Sequence, residues 1–317
     1  AGDDYTGSDT ACTYASPFAS KAELANTIAS SYCLGGSDAT GATCTDGKGV
    51  AIASWDVSSV VDMAGLFQDT VVVSTTFNAN IGSWATGNVQ DMSNMFKGQA
   101  AFNQNIGSWA TGSVTNMNNM FNGATAFNQN IGSWGTGSVI DMNNMFNGAA
   151  AFTQDISSWV TSAVTDMSNM FQGATVFNQD ISSWVVSAVA NFNSMFNGAI
   201  AFNKGFTMTT SWTGAGGASA TNMFQGATAW IARYDPPTAG SVDGPASAWS
   251  VKLCAANEYV SSNACTACPT GSARAAGDNP NGGDTVCACS ANYFVSTNTC
   301  TACPGGSVRA AGDDPSG

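Results

Sequence analysis

The sequence predicts an α/β repeat fold: a parallel solenoid of about seven coils, followed by small disulfide-rich modules with little secondary structure. One observation behind this prediction is a period of 25 residues between tryptophans in the middle of the chain, at Trp84, Trp109, Trp134, Trp159 and Trp184. Another is a cysteine pattern that begins at Cys254 and repeats after 35 residues. Copies of a short unit at a fixed period bury their apolar residues by stacking on one another.

Composition narrows the classes of function. Of the 317 residues, 44% are hydrophobic, 9% are charged and none is histidine, and the formal net charge is −13. The acidic balance argues against nucleic-acid binding, which needs basic side chains to neutralise phosphates. Without histidine the chain lacks the commonest general base and a usual zinc ligand. We expect a protein that is not an enzyme, uses no cofactor or metal and has no transmembrane segment. An enzyme acting through paired carboxylates is the alternative.

The two ends of the sequence resemble each other. Ala1–Gly7 reads AGDDYTG and Ala311–Gly317 reads AGDDPSG, and an alignment of Ala1 with Ala276, at the equivalent point of the preceding repeat, places Cys12 on Cys287. Residues 1–12 are therefore interpreted as the end of a Cys-rich module. The similarity predicts one unit of a head-to-tail series, whose partners are copies of itself.

Residues 13–50 are predicted to form a helical cap in front of the repeats. Ser20 and Glu23 have the spacing of a capping box, which satisfies free backbone N–H groups at a helix start. Leu24 and Ile28 follow at helical spacing. Such a helix would cover the apolar surface of the first repeat, which otherwise faces water.

Residues 51–232 are assigned to the solenoid, and in each copy a phenylalanine follows the tryptophan by 12 residues. The segment Val114–Phe121 has apolar residues at helical spacing, and Gly123 suits the C-cap of a short helix. The segment Ile106–Trp109 is interpreted as a short strand. One copy cannot fold alone. Burial of its large apolar side chains stabilises it by roughly 10–20 kcal/mol, and the conformational entropy lost on ordering about 25 residues costs a similar amount.

The repeat follows the pattern F-N-Q-[ND]-I-[GS]-S-W-x4-V-x2-M-x2-M-F-x-G-A, as in residues 102–124. This pattern resembles the BspA-like surface-protein repeat, a relative of the leucine-rich repeat, over residues 51–229. The resemblance implies a leucine-rich-repeat-like solenoid, an extracellular position on cell surfaces, and a role in adhesion or surface layers. It brings no catalytic residues.

Two sets of repeated residues are candidates for binding. The tryptophan and methionine positions are typical of a ligand cage or, in the favoured interpretation, of a packed core. A second column carries carboxylates and amides at one repeat position: Asp91, Asn116, Asp141, Asp166 and Asn191. A bound cation or glycan hydroxyls would relieve repulsion between stacked carboxylates. The favoured alternative is a solvated or helix-capping column.

Residues 233–253 are predicted to be a linker, because the apolar rhythm stops and Pro236, Pro237 and several glycines appear. Two Cys-rich modules follow at 254–288 and 289–317, and the second stops before the fourth cysteine of the pattern. They resemble small modules of secreted and surface proteins, such as ephrin-receptor-like modules and protist surface antigens.

The cysteines have three interpretations. The CxxC pairs resemble redox motifs but lack a βαβ setting, and CxxC with CxC is a spacing compatible with zinc. Structural disulfides are favoured, because the module is small and repeated and accompanies a repeat typical of extracellular proteins. Pairing of adjacent cysteines then predicts these bonds: Cys33–Cys44, Cys254–Cys265, Cys268–Cys287, Cys289–Cys300, and Cys303 to Cys12 of the next unit.

These features predict a structural repeat unit of an extracellular fibre or surface appendage, joined head to tail through its Cys-rich connectors. The alternative is a cell-surface adhesin that binds protein or glycan on one face of the solenoid. Either function requires secretion or display at the cell surface. The many serines and threonines permit covalent O-linked glycans, although the chain has no N-x-[ST] sequon.

Overall fold

The computed structural model describes residues 17–30, 51–68, 77–204, 217–244, 248–262, 264–280, 283–296, 299–303 and 310–312. The chain divides into two compact units. One comprises residues 1–232 with 236–248, and the other comprises residues 233–235 with 249–317. In the described residues, no helix is both long and apolar enough to cross a membrane.

Regular secondary structure is sparse. Helix α1 spans Lys21–Ser30, a 3-10 turn spans Ile52–Ser54 and helix α2 spans Thr228–Arg233. The strands form two-stranded antiparallel sheets. The pairs are β1 (Tyr234–Asp235) with β2 (Ser250–Val251), β3 (Glu258–Ser261) with β4 (Ala264–Ala267), β5 (Ser272–Ala273) with β6 (Ala288–Cys289), and β7 (Tyr293–Ser296) with β8 (Thr299–Ala302).

The predicted leucine-rich-repeat-like α/β parallel solenoid is wrong. Among the described residues of the repeats, 77–204, turns and isolated bridges take the place of the expected helices and strands. Val114–Phe121 consists mainly of turns and Ile106–Trp109 contains a turn. In the part of the chain that the structure describes, the sheets are the small antiparallel pairs beyond residue 233.

A left-handed residue and bonds to the next repeat explain why Val114–Phe121 is not helical. Asn119 has a φ of 55°, a conformation that a right-handed helix does not contain. Moreover, the N–H groups of Asn119 and Phe121 donate to the carbonyl oxygens of Asn143 and Met145 in the following repeat, both at 2.9 Å. An N–H group bonded to the neighbouring repeat cannot also close a helical turn.

Successive repeats are joined by single-residue bridges at one position of the repeat. These bridges are parallel: Asp62–Asp91, Asp91–Asn116, Asn116–Asp141, Asp141–Asp166, Asp166–Asn191 and Asn191–Ser219. On either side of each bridge, every second backbone N–H group donates to a carbonyl oxygen of an adjacent repeat. For example, the N–H of Met92 donates to the carbonyl of Asn116 at 3.0 Å. The backbone of each repeat therefore finds its hydrogen-bond partners in its neighbours.

The core consists of the repeated aromatic and apolar positions. Each tryptophan from Trp84 to Trp184 is almost fully buried, and neighbouring indoles stack at centroid distances of 6.2–6.5 Å. Each indole N–H also donates to an isoleucine carbonyl of the preceding repeat, as Trp134 does to Ile106 at 3.1 Å. One side chain thus contributes both burial and a bond between repeats.

Helix α1 contacts the first repeat, where Lys21 Nζ forms an ion pair with the carboxylate of Asp62 at 3.3 Å. Its start has the predicted capping residues: the N–H of Glu23 donates to Ser20 Oγ at 3.3 Å, and the Glu23 carboxylate accepts from the N–H of Ala19 at 2.9 Å. Leu24 and Ile28 are buried. Because the apolar face of the helix is covered and its first turn is capped, the segment is stable as a helix.

Gln99 is a buried polar residue that the repeat pattern does not predict. Later repeats have alanine at this position, as at Ala124 and Ala149. Gln99 is fully buried; its Oε1 accepts from the N–H of Phe77 at 3.0 Å, and its Nε2 donates to the carbonyl of Phe67 at 2.7 Å. The amide therefore connects the two ends of the longer segment between the first two repeats.

We expect Gln99→Ala to lower the free energy of unfolding by about 2 kcal/mol, because two backbone groups lose their partner. Urea denaturation of the full chain measures this loss. Gln129→Ala is the matched control, because Gln129 is only half-buried and bonds the neighbouring repeat at Asn103. An equal loss in both variants would contradict a special role for Gln99.

Candidate functional site

The predicted column lies along the bridges that join the repeats. Its five members are half-buried: Asp91, Asn116, Asp141, Asp166 and Asn191. In each, Oδ1 accepts the backbone N–H of the residue two positions on, at distances of 2.7–3.1 Å. Such a bond caps a turn locally. The first role of these side chains is therefore to fix the turn that follows each bridge.

The second carboxylate oxygens of the column accept from amide groups of nearby asparagines. Asp91 Oδ2 accepts from Asn116 at 3.4 Å, Asp141 Oδ2 from Asn118 at 3.2 Å, and Asp166 Oδ2 from Asn191 at 3.2 Å. Where an amide follows a carboxylate, as Asn116 follows Asp91, the pair forms a charge-assisted hydrogen bond; Asp141 and Asp166 are adjacent carboxylates. The column thus satisfies its own polar atoms through neighbouring asparagines.

Substitutions of Asp141 test whether the side chains of the column act as hydrogen-bond acceptors. We expect Asp141→Ala to cost about 1–2 kcal/mol of stability, because the turn loses its acceptor. Asp141→Asn should cost less than half as much, since an amide oxygen can accept the same N–H groups of Asn143. Urea midpoints of the two variants measure the difference. Equal losses would mean that charge, rather than the acceptor, matters here.

A second repeated position forms a polar cleft at one end of the described repeats. The cleft has a volume of about 270 Å³ and is lined by Asp155, Ser157, Gln179, Asp180, Ser182, Ser183 and Lys204. Hydrogen bonds from the backbone and side chain of Ser157 lower the pKa of Asp155. Sequence reasoning missed this cleft, because the same position holds asparagine in earlier repeats, as at Asn105 and Asn130.

Six cysteines of the second unit form disulfides. The bonds are Cys254–Cys265, Cys268–Cys287 and Cys289–Cys300. Glu258 lies beside Cys254 and Cys265, but a disulfide leaves no thiolate there to bind a metal. Among the described residues Cys303 alone is unbonded, and it is half-buried. The other predicted partners, Cys12, Cys33 and Cys44, lie outside the described residues.

A charged network holds the segment before Cys287. The guanidinium of Arg274 donates to both carboxylate oxygens of Asp278 and to the carbonyl of Val286. Thr285 Oγ1 also donates to Asp278 Oδ2 at 2.8 Å. The hydrogen bond from Arg274, followed by that from Thr285, lowers the pKa of Asp278 below 3.8. Sequence reasoning overlooked this network, although both modules have the same R-A-A-G-D run.

The lowered pKa of Asp278 predicts a pH dependence. A carboxyl group whose pKa falls on folding stabilises the fold above its unfolded value of about 3.9. This stabilisation is lost as pH falls through the lower value of the folded state. We therefore expect local unfolding around Thr285 to increase between about pH 4 and pH 2, as measured by NMR of the full chain. Asp278→Asn should flatten this dependence, whereas Asp235→Asn, at an exposed carboxylate, should leave it unchanged.

The comparisons with known proteins give one family. Two overlapping matches, at residues 40–149 and 129–235, fit the family described as "Mycoplasma protein of unknown function, DUF285". Together they cover residues 40–235, more than half of the 317-residue chain. No curated protein and no solved structure matches the chain. The matched region contains the described repeats, and the Cys-rich modules lie beyond it.

Proposed function

Because this chain belongs to the DUF285 family, whose matches span residues 40–235, we propose that it is a non-enzymatic structural unit of an extracellular fibre or surface appendage. The units are joined head to tail through the Cys-rich modules. The likeness of the repeats to BspA-like surface proteins supports a place at the cell surface. The disulfides support it too, because such bonds persist mainly outside reducing compartments.

The stacking of the repeats supports a structural role. Their described polar residues largely hold one repeat to the next. For example, Asn103 Oδ1 accepts from the N–H of Asn128 at 2.9 Å, and Ser133 Oγ donates to the carbonyl of Gly107 at 2.9 Å. Side chains engaged in such bonds are poorly suited to acid–base chemistry, which needs a proton donor or acceptor free to reach substrate.

The state of Cys303 is the observation that carries the proposal. Cys303 has the position in the second module that Cys268 has in the first. Their N–H groups donate to equivalent carbonyls, those of Asn292 and Asn257, at 2.9 and 2.8 Å. Cys268 is bonded to Cys287, whereas Cys303 has no disulfide partner among the described cysteines. We assign Cys12 of the next unit as its partner. Exchange with an oxidised small-molecule disulfide forms this bond, and that disulfide takes up the two electrons and two protons.

Mass spectrometry of the full chain tests this link. Equal amounts of isotopically labelled and unlabelled protein are mixed, oxidised and digested under non-reducing conditions. We expect peptides that join Cys303 of one label to Cys12 of the other, and linear assemblies with a constant axial repeat in negative stain. Cys303→Ser should abolish both, and Thr301→Ser, at a neighbouring exposed residue, should abolish neither. Cys12 bonded to Cys33 or Cys44 of its own chain, without linear assemblies, would overturn the proposal.

Adhesion is a second candidate function, favoured by the polar cleft around Asp155 and Asp180. Carboxylates, hydroxyls and an amide in one concave site are groups that bind sugar hydroxyls. Glycan-array binding of the full chain tests this candidate. Saturable binding that is lost in Asp180→Ala and kept in Asp141→Asn would support adhesion. Absence of binding would remove it and leave the structural role intact.

A further inference from the structure

Each described repeat donates backbone hydrogen bonds to the repeat that follows it. The N–H of Phe96 donates to the carbonyl of Met120 at 2.9 Å, and that of Phe196 donates to the carbonyl of Met223 at 2.9 Å. The equivalent N–H group of the last described repeat is that of Phe224. A backbone donor at a buried residue needs an acceptor, and Phe224 is fully buried. The end of the stack therefore needs a partner that is not another repeat.

Residues 241–244, the closing segment, supply this partner. The N–H of Phe224 donates to the carbonyl of Val242 at 3.1 Å. The N–H of Asn222 donates to Asp243 Oδ1. One main-chain carbonyl and one side-chain carboxylate thus accept the bonds that carbonyls of a further repeat would accept.

The closing segment runs antiparallel to the edge that it covers, residues 220–224. Phe224 bonds to Val242, whereas Ala220, which is earlier in the chain, accepts from the N–H of Gly244 at 3.1 Å. The bridges between successive repeats are parallel. Because the direction of the added chain changes, the segment closes the stack instead of extending it.

We propose that the closing segment prevents a second copy of the chain from pairing at residues 220–224. An uncovered edge of backbone donors and acceptors is a template for another chain, and proteins commonly cover such edges. This edge offers the donors of Asn222 and Phe224 and the acceptor of Ala220, so it carries both groups that pairing with itself requires.

The partner that fits the edge is the same edge of a second copy. Two identical edges related by a two-fold axis run antiparallel, which is the direction that residues 220–224 accept in the closing segment. Release of the closing segment therefore produces a dimer joined through the repeats. In its closed position, the segment restricts the joining of copies to other surfaces of the chain.

Self-association of the full chain tests this inference. The background carries Cys12→Ser and Cys303→Ser, so the proposed disulfide between units cannot form and the result does not depend on it. In this background, Asp243→Ala with Gly244→Pro removes the carboxylate acceptor and the backbone donor of the closing segment. Proline also cannot adopt the φ of 98° at Gly244. Sedimentation equilibrium should give a dimer association constant at least about tenfold higher than that of the background.

Two further variants accompany the double variant. Asp243→Ala alone removes one of the described bonds and should raise the association constant by a smaller factor. Ala239→Ser, at an exposed residue of the same loop, is the control and should associate as the background does. An excess of a peptide of residues 236–244 should return the double variant to the monomer, because the peptide supplies the lost segment. The same peptide with Asp243→Ala should do so less well.

Amide hydrogen exchange at low protein concentration shows whether the edge has been uncovered. In the double variant the N–H of Phe224 should exchange faster than in the background, whereas that of Phe196, bonded to a repeat, should not. Faster exchange without stronger association would overturn the inference. Unchanged exchange of Phe224 would overturn it too, because the closing segment would then not depend on these bonds. Assemblies that grow beyond the dimer would contradict the two-fold pairing. If the double variant does not fold, Asp243→Ala decides by the same two measurements.

Discussion

Trp134→Ala should lower the free energy of unfolding of the repeat unit by about 3–5 kcal/mol, the range for an aromatic residue removed from a packed core. Trp134 is almost fully buried and stacks between Trp109 and Trp159 at 6.5 Å on either side. Its truncation leaves a cavity in the middle of the tryptophan column and removes the indole bond to Ile106. Urea denaturation followed by tryptophan fluorescence and far-UV circular dichroism measures the loss.

Two further variants are controls for the stability loss expected in Trp134→Ala. Trp134→Phe keeps a ring in the column but removes the N–H donor, so it should lose a smaller amount, about 1–3 kcal/mol. Val160→Ala shortens a side chain that is 54% exposed, and its effect should stay within about 0.5 kcal/mol. A loss in Trp134→Ala no larger than that in Val160→Ala would contradict the described core.

Removal of the Cys268–Cys287 disulfide is the second change with a large expected effect. The bond closes a loop with a sequence separation of 19 residues, and loss of such a bond costs about 3 kcal/mol in the chain-entropy account. In the described part of residues 254–303 the buried hydrophobic residues are Cys254, Val260, Cys287 and Cys289. A core of this size cannot compensate for the lost bond. The double variant Cys268→Ala with Cys287→Ala should therefore unfold its module locally.

Hydrogen exchange of the full chain measures that local unfolding. Amides of residues 254–289 should lose protection, whereas those of residues 77–204 should keep it, because they belong to the other compact unit. Thr266→Ala, at an exposed position of β4, is the control and should change neither region. Unchanged protection in the double variant would show that the Arg274–Asp278 network and the remaining disulfides suffice.

The two variants probe two ways in which a short unit becomes stable. The repeats obtain stability from neighbours, because their backbone N–H groups and indoles bond to adjacent copies. The Cys-rich module obtains it from covalent bonds.

The sequence by itself determined which apolar positions of the repeat are buried. The period of 25 residues placed Ile106, Trp109 and Phe121 in the core, and the structure buries all three. Periodicity suffices for this purpose, because an apolar residue repeated in every copy must contact its equivalents when the copies stack. The Ser20–Glu23 pair likewise located the start of helix α1, since capping depends on residues close in sequence.

Only the tertiary structure decided the backbone conformation of the repeats. Apolar residues three positions apart, such as Met117 and Met120, lie on one side both in a helix and in consecutive turns. The choice depends on where the N–H groups find acceptors. For Asn119 and Phe121 the acceptors belong to the next repeat, which local sequence cannot specify. The buried bonds of Gln99 and the cleft around Asp180 arose in the same way, from residues that are distant in sequence and adjacent only after packing.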